Sequence, residues 1–406
     1  MKTNLNLDFF IKKYVVKRHQ SLFHKDLIIN NDKLKNQINN KSVLVIGGAG
    51  TIGSSYIKAL LKFTPLKLIV VDVNENGLTE LIRDLRSSKY INIPEQLVTY
   101  PIDFGDTVFE KIFKKHAPFD IVANFAAHKH VRTEKDIYSI EAMIKNNVFK
   151  LKTLLKLLLR FPPNHFFCVS SDKATNPVNI MGASKKLMEE LIMAYSSRLS
   201  IKTARFANVA FSNGSLLQGF LERFNNHQAL ACPTDIKRFF LSPEESGQLC
   251  LIASVIGKSG DILFPKLDKI KDTLFFDRIV YDLLNYMELE IDICESEEEA
   301  KRKSELLTIN SNTYPVYFFK SDTSGEKLFE EFYMDNEILD LKTFESIGII
   351  KKSSQLNEND IEIICDKLEK IFLKDNILKT DIVKILETYL VSFKHFETGK
   401  NLDERM

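Results

Sequence analysis

The chain has 406 residues, 44% of them hydrophobic and 27% charged, which is enough for a real core and for one large α/β domain with accessory parts or two domains. Its 56 basic residues stand against 54 acidic ones, a formal net charge of +2 that argues against an electrostatic design for nucleic acid or an anionic membrane. Five scattered cysteines (Cys168, Cys232, Cys250, Cys294, Cys365) show no C-x-x-C spacing, and no stretch reaches the roughly 18 apolar residues of a membrane span. A cytoplasmic protein with no metal site and no disulfide framework is therefore expected.

Residues 1–40 read as a helical arm in which Phe9, Phe10, Tyr14 and Val15 recur at near-helical spacing. A buried apolar run then begins at Ser42-Val-Leu-Val-Ile46, short and β-branched as a parallel strand should be. Similar runs follow at 68–71, 121–124 and 166–170, separated by helical patterns at 53–63, 76–87, 137–160 and 182–198. Fully apolar strands alternating with helices predict a doubly wound parallel sheet of α/β class, a nucleotide-binding domain over 41–210. From 211 to 350 the regularity falls away around Pro233, Pro243 and Pro265, as in a smaller α/β substrate-binding part interleaved with the first. Residues 351–406 form a helical C-terminal extension with Ile361, Ile364, Leu368 and Ile371 on one face, able to pack on the body or on a second subunit.

The sharpest local signal is Gly47-Gly-Ala-Gly50-Thr51-Ile52-Gly53, set between a strand and a helix. Such a turn aims free backbone N–H groups at the positive end of the helix, which suits a pyrophosphate, and the glycines let a ligand approach the backbone. The second strand ends in Asp72, 19 residues past Gly53, where a carboxylate can bind the adenosine ribose hydroxyls and repel a 2′-phosphate. No arginine follows in Val73-Asn-Glu-Asn76, so NAD is favoured over NADP. Asp103, after the third strand, could reach the adenine or serve as an ordinary turn aspartate, and Ala126 lies beyond the fourth strand on the same edge.

Ser170-Ser-Asp-Lys173 closes the strand at 166–170, and Met181-Gly-Ala-Ser-Lys185 opens the next helix. Strand ends of a parallel sheet face the cofactor crevice, so these groups should converge there. Lys185 is placed to hold a nicotinamide ribose. Met181 stands where a proton-transferring tyrosine is usual, and methionine cannot titrate. Asp172 and Lys173 are the obvious substitutes as acid and base, although in isolation the pair also reads as a surface salt bridge.

Together, Ser-Ser-Asp-Lys-Ala-Thr-Asn-Pro (170–177), Asn-Ile-Met-Gly-Ala-Ser-Lys (179–185) and Phe125-Ala-Ala-His-Lys-His-Val131 with Glu134 resemble the UDP-N-acetylglucosamine 4,6-dehydratases of bacterial polysaccharide and glycoprotein biosynthesis, a group of extended short-chain dehydrogenases/reductases. Arg205-Phe-Ala-Asn208, Ser212-Asn-Gly-Ser215, Arg238-Phe-Phe and Gly325-Glu326-Lys327-Leu328 resemble further segments of that family, in order, so that the likeness runs from about 42 to 350. Taken alone, Arg205 and Arg238 would read as structural ion pairs. The family usually carries an arginine shortly before the Gly-Glu-Lys-Leu segment; here Asp322-Thr-Ser stands instead, a departure on the uridine side.

The resemblance implies an internal redox cycle on a UDP-N-acetylhexosamine: oxidation at carbon 4, loss of the carbon-5 proton and the carbon-6 hydroxyl, then reduction at carbon 6 with NAD regenerated. It assigns Asp172 as the acid for the hydroxyl, Lys173 as the carbon-5 base, Ser171 to the carbon-4 oxygen, Lys185 to the nicotinamide ribose, and Met181 to the pocket wall. Lys129, Glu134, Asn208, Ser215, Arg238 and Glu326 become the substrate-binding candidates. The product would feed a surface glycan or a nonulosonic acid, and a homo-oligomer is expected through the apolar helices. Two alternatives remain open: a UDP-sugar 4-epimerase, which normally relies on the missing tyrosine, and a non-catalytic NAD-binding regulatory protein.

Overall fold

The computed structural model describes residues 5–308, 310–321, 330–351 and 355–396. Nine strands form the main sheet: β1 (Ser42–Ile46), β2 (Lys67–Asp72), β3 (Gln96–Pro101), β4 (Ile121–Asn124), β5 (His165–Val169), β6 (Ile201–Ala204), β7 (Asp261–Pro265), β8 (Ile338–Asp340) and β9 (Ile347–Lys351). Their spatial order is 8-9-7-6-5-4-1-2-3. Strands β1 to β7 run parallel, while β9 pairs antiparallel with β7 and β8 with β9. The order reverses between β1 and β4, where Val43 faces Ile121 and Ile46 faces Asn124. In a doubly wound sheet that reversal opens a crevice at the carboxyl ends of the strands. Every residue of β1 and β4 is buried, which is why these segments appear in the sequence as unbroken apolar runs.

Helix boundaries follow local chemistry. Thr51–Leu60 begins behind Gly50 with no side chain capping it, whereas Ile180–Ala194 is capped by Asn179, whose Oδ1 accepts the Gly182 N–H at 2.7 Å. The predicted helix over 137–160 contains a π-helical turn at Lys145–Phe149 between two α-helical stretches. The segment 355–395 forms two helices, Glu358–Phe372 and Lys379–Tyr389. Ile361, Ile364 and Leu368 are buried in the main core with Ile382 and Leu386, so the extension packs on the body of its own chain. Two small three-stranded sheets lie in the second half. Phe10, Ile11, Val15 and Val16 of the N-terminal arm share the second core with Phe211, Phe220 and Tyr314. No helix among the described residues is long and apolar enough to cross a membrane.

One buried ionic cluster joins these layers. Arg205, fully buried just after β6, donates from Nε and Nη2 to both oxygens of Glu189 at 3.0 and 2.6 Å. It also donates to both oxygens of Glu337, at 2.9 and 2.8 Å, and to the Phe332 carbonyl at 2.9 Å. Burial alone would raise the Glu189 carboxyl; Arg205 and Lys186 reverse that and hold it down to about 2. Replacing Arg205 with methionine (R205M) should cost about 3–5 kcal/mol in urea unfolding near neutral pH, because Glu337 stays buried without its guanidinium partner and Glu189 keeps only Lys186. The Glu189 contribution is complete above its unfolded pKa of about 4.3. It is lost as the pH falls towards the folded value of about 2, so the gap between wild type and R205M should narrow in acid.

Candidate active site

A cavity of about 730 Å³ opens at the carboxyl ends of the parallel strands, reaching from Ile52 and Phe125 through Ser170–Lys173 to Arg238 and Phe319. The glycine turn lies at its edge. Gly47 has φ +76°, and a Cβ there would sit 2.5 Å from the Ala126 nitrogen; one on Gly53 would sit 2.2 Å from the Gly47 oxygen. The turn therefore admits no side chain at either position. Behind Gly50 the first amides of the Thr51–Leu60 helix have no intrahelical acceptor and no side-chain cap, the arrangement that in general suits an anion. Asp72 accepts the Ala49 and Asn74 N–H groups, both at 2.9 Å, and so fastens the turn to the end of β2. Thr51 Oγ1 accepts the Asn213 N–H at 2.9 Å, joining the helix start to the loop before Ser215. Asp103 pairs with Lys150 and accepts the Gly105 N–H; these contacts hold its carboxyl low despite burial. Of the predicted cofactor residues, Ile52 and Lys185 line the cavity, whereas Gly47, Gly50, Thr51, Gly53, Asp72, Asp103 and Ala126 are not part of its wall.

The predicted catalytic residues come together on one wall. Ser171 Oγ accepts the Lys173 N–H at 3.1 Å and caps the short 3₁₀ turn Asp172–Ala174. Asp172 is buried, and the Lys173 amine lies 3.2 and 3.4 Å from its two oxygens. Burial alone would lower the Lys173 ammonium, but Asp172 and Glu330 hold it above its ordinary value. Met181 lines the cavity as apolar wall. Lys185 is buried, and among the described residues its amine has only the Met188 sulfur, at 3.9 Å, as a hydrogen-bond acceptor. Burial, with the positive charges of Lys129 and Lys173, pushes it down to about 8. Asn147, in the π-helical turn, clamps the neighbouring loop by bonding the His128 N–H and carbonyl, and donates to Ser184 Oγ at 3.0 Å.

Other predicted residues are placed differently. Lys129 lines the cavity and donates to the Asn213 carbonyl at 2.8 Å. Ser215 lines it too, while its hydroxyl caps the helix Leu216–Asn225. Glu134 is not part of the cavity wall: its Oε1 accepts the Met181 N–H at 2.8 Å, and its other oxygen faces Lys379 and His395 of the C-terminal extension at 3.7 and 3.6 Å. Arg205 belongs to the buried cluster between β6, the Ile180–Ala194 helix and the chain before β8. Glu326, with the Gly-Glu-Lys-Leu segment, lies outside the described residues. Glu330, four positions further on, is the residue that sequence reasoning missed. It is buried in the cavity wall; both its oxygens accept from Asn208 Nδ2, at 2.9 and 2.8 Å, and Oε1 also meets Arg238 Nε at 3.1 Å and Lys173 Nζ at 3.4 Å. Arg238, a substrate-binding candidate, spends its Nε on Glu330 and donates from Nη1 to the Lys237 carbonyl.

Known proteins resemble this chain in both sequence and fold. A family described as "Polysaccharide biosynthesis protein" matches residues 43–352. An uncharacterized membrane protein of Methanocaldococcus jannaschii is 29% identical over 87% of this chain and 97% of its own length. The capsular polysaccharide biosynthesis protein CapD of Staphylococcus aureus is 27% identical over 85% of this chain, which spans only 54% of that protein. A UDP-N-acetylglucosamine 4,6-dehydratase (inverting) of Campylobacter jejuni is 28% identical over 58% of this chain and 70% of its own. Among solved structures, Pen from Bacillus thuringiensis superposes with a TM-score of 0.62 at 21% identity, covering 79% of this chain and 90% of that one. A UDP-N-acetylglucosamine 4-epimerase from Methanobrevibacter ruminantium gives 0.54 at 16%, covering 74% and 91%. These likenesses establish the extended Rossmann-like fold of the short-chain dehydrogenase/reductase class.

The glycine turn supplies a direct test of its own packing. Gly53→Ala should lower stability by about 1–3 kcal/mol in thermal or urea melts, since its Cβ meets rigid backbone. Gly50→Ala should cost no more than about 1 kcal/mol, because its nearest neighbour would be 3.6 Å away.

Proposed function

The chain belongs to the polysaccharide biosynthesis protein family, and on that premise we propose that it is an NAD-dependent 4,6-dehydratase of UDP-N-acetylglucosamine or a close UDP-N-acetylhexosamine. The observation that carries this reading is the Asp172–Lys173 ion pair in the cavity wall, beside a methionine at the position where an epimerase of this class relies on a tyrosine. Removing water across carbons 5 and 6 needs an acid for the departing hydroxyl and a base for the carbon-bound proton, and these two groups are adjacent.

NAD fits the residues present. The bare helix end behind Gly50 would take the pyrophosphate, Asp72 the adenosine ribose, and the otherwise thioether-facing Lys185 amine the nicotinamide ribose. When bound, NAD supplies reversible oxidation at carbon 4 of the sugar. The cavity charges support a diphosphate-bearing substrate: Lys129, Lys173, Lys185, Arg223 and Arg238 outnumber Asp172, Glu222 and Glu330 by five to three. Ser171 would face the carbon-4 oxygen, while Asn208, Ser215 and Lys129 line the space left for sugar and phosphates. Met181 excludes water from that wall without exchanging protons.

Incubation with UDP-N-acetylglucosamine in deuterated water should give a 4-keto-6-deoxy product, lighter by one water and labelled with deuterium at carbon 5, as read by mass spectrometry and NMR. An epimerised product of unchanged mass would refute the dehydratase reading. Asp172→Asn and Lys173→Ala should each lower kcat by about 10²–10⁴-fold when assayed well below their own melting temperatures. Near-normal turnover by Lys173→Ala would remove lysine as the carbon-5 base.

A further inference from the structure

Lys173 presents a chemical difficulty that its surroundings address. A base must begin as a neutral amine, yet two carboxylates face this lysine: Asp172 at 3.2 Å and Glu330 at 3.4 Å. Were both ionised, the ammonium form would be locked in. Asp172 and Glu330 are each more than nine-tenths buried, and both lie against the same Lys173 amine. Carboxyl groups so placed share a proton, because two like charges in contact and away from water cannot both be carried cheaply.

Resting on the dehydratase reading, we propose that Glu330 is a positioning residue that works in its neutral form. It hydrogen-bonds Asp172 and leaves Lys173 facing one negative carboxylate, so that the Asp172–Lys173 pair can pass from carboxylate and ammonium to carboxylic acid and amine. The groups facing Glu330 come from three other segments: Asp172 and Lys173 after β5, Asn208 after β6, and Arg238 on the strand Lys237–Leu241. Burial and the Asp172 carboxylate push its carboxyl up to about 7, against the pull of Lys173 and Arg238.

The proton balance then closes within the site. After oxidation at carbon 4, the carbon-5 C–H bond breaks, its proton passes to Lys173 Nζ, and its electron pair becomes the carbon 5–carbon 6 double bond. The carbon-6 C–O bond breaks as Asp172 delivers its proton to that oxygen, and water leaves. The pair ends as ammonium and carboxylate; when carbon 6 is reduced, Lys173 gives a proton to carbon 5, and the proton that left the carbon-4 hydroxyl on oxidation restores the pair, whose members lie 3.2 Å apart. Glu330 keeps its own proton throughout.

The test is Glu330→Gln, whose amide imitates the neutral acid. Wild-type kcat/KM should fall as the pH rises through about 7, whereas Glu330→Gln should stay within about tenfold of the wild-type maximum and show no such fall. Glu330→Ala, which removes the hydrogen bond to Asp172, should lose about 10²-fold or more in kcat with little change in KM. A Glu330→Gln profile with the wild-type limb at the same pH would overturn the proposal, as would a wild-type profile flat across that range. Infrared difference spectra of the unliganded protein give a readout independent of turnover. A protonated-carboxyl band that disappears as pH rises through about 7 in wild type, and is missing in Glu330→Gln, is the expected result. If no sugar nucleotide is dehydrated but this band is found, the dehydratase reading has failed while the shared proton stands. If dehydration occurs and no such band titrates, the role given to Glu330 has failed.

Discussion

The buried guanidinium of Arg205 is the constraint on which the rest of the molecule leans. It leaves the end of β6 and meets two carboxylates bidentately, Glu189 on the Ile180–Ala194 helix and Glu337 in the turn before β8. A planar fork suits this task as a lysine would not, since each carboxylate is held by two parallel bonds that also fix its orientation. Glu189 in turn accepts the Ser170 hydroxyl at 2.8 Å, directly before Ser171 and Asp172. Lys186 closes the cluster and contacts Glu190, whose Oε2 accepts the Gln355 and Leu356 N–H groups that lead into the C-terminal helices. One charged knot therefore sets the angle between sheet, helix and returning chain, and it fixes the strand end from which Asp172 and Lys173 project. Such a cluster need not add net stability over a packed apolar core, but its geometry tolerates few alternatives.

The position of the cavity follows from topology more than from the residues lining it. Parallel strands buried on both faces must be covered by helices, and where their order reverses the covering helices diverge, leaving a crevice at the strand ends. Every segment that ends there delivers whatever its last residues carry: the glycine turn after β1, Asp72 at β2, the His128–His130 loop after β4, and Ser170–Lys173 after β5. The second half of the chain then supplies the opposite wall through Asn208, Arg238 and Glu330. These groups meet at one end of the sheet because seven strands point the same way.

These rules also set how much of the molecule is legible in its sequence. Strands β1, β2, β4 and β5 were legible because burial on both faces leaves their interiors apolar, as in Val43–Ile46 and Ile121–Ala123. The glycine turn was legible because its constraint is local, a positive φ at Gly47 and a helix end left bare. Asp172, Lys173 and Lys185 were legible as strand-end and helix-start positions. Glu330 was not, since its meaning depends on Asn208, Arg238 and Lys173, which lie 92 to 157 positions away in sequence. Glu134 looked like a candidate sugar contact because it comes soon after the His-Lys-His segment; the C-terminal extension, whose path the sequence does not reveal, gives it a different set of partners. The π-helical turn that aims Asn147 at the His128 loop also escaped, since one extra residue in a helix barely disturbs its apolar period.

The C-terminal extension also acts on the segment that leads into Met181. Glu134 caps the Met181 N–H and faces Lys379 and His395, while the Lys394 and Phe396 N–H groups bond the Pro177 and Val178 carbonyls at 3.2 and 3.0 Å. Leu390 and Phe393 are buried alongside and anchor this clasp in the main core. The segment from Pro177 to Met181 is thus held from outside, by the tail, as well as from within by Asn179. A tyrosine at 181 would have placed the titratable group on the helix itself, where the helix fixes its position. With methionine there, the titratable groups sit on the short turn at Asp172–Ala174, and a turn holds its geometry only if the residues on its C-terminal side cannot move. The clasp on Pro177 and Val178 supplies that restraint, so the helical tail and the Asp172–Ala174 turn form one mechanical unit.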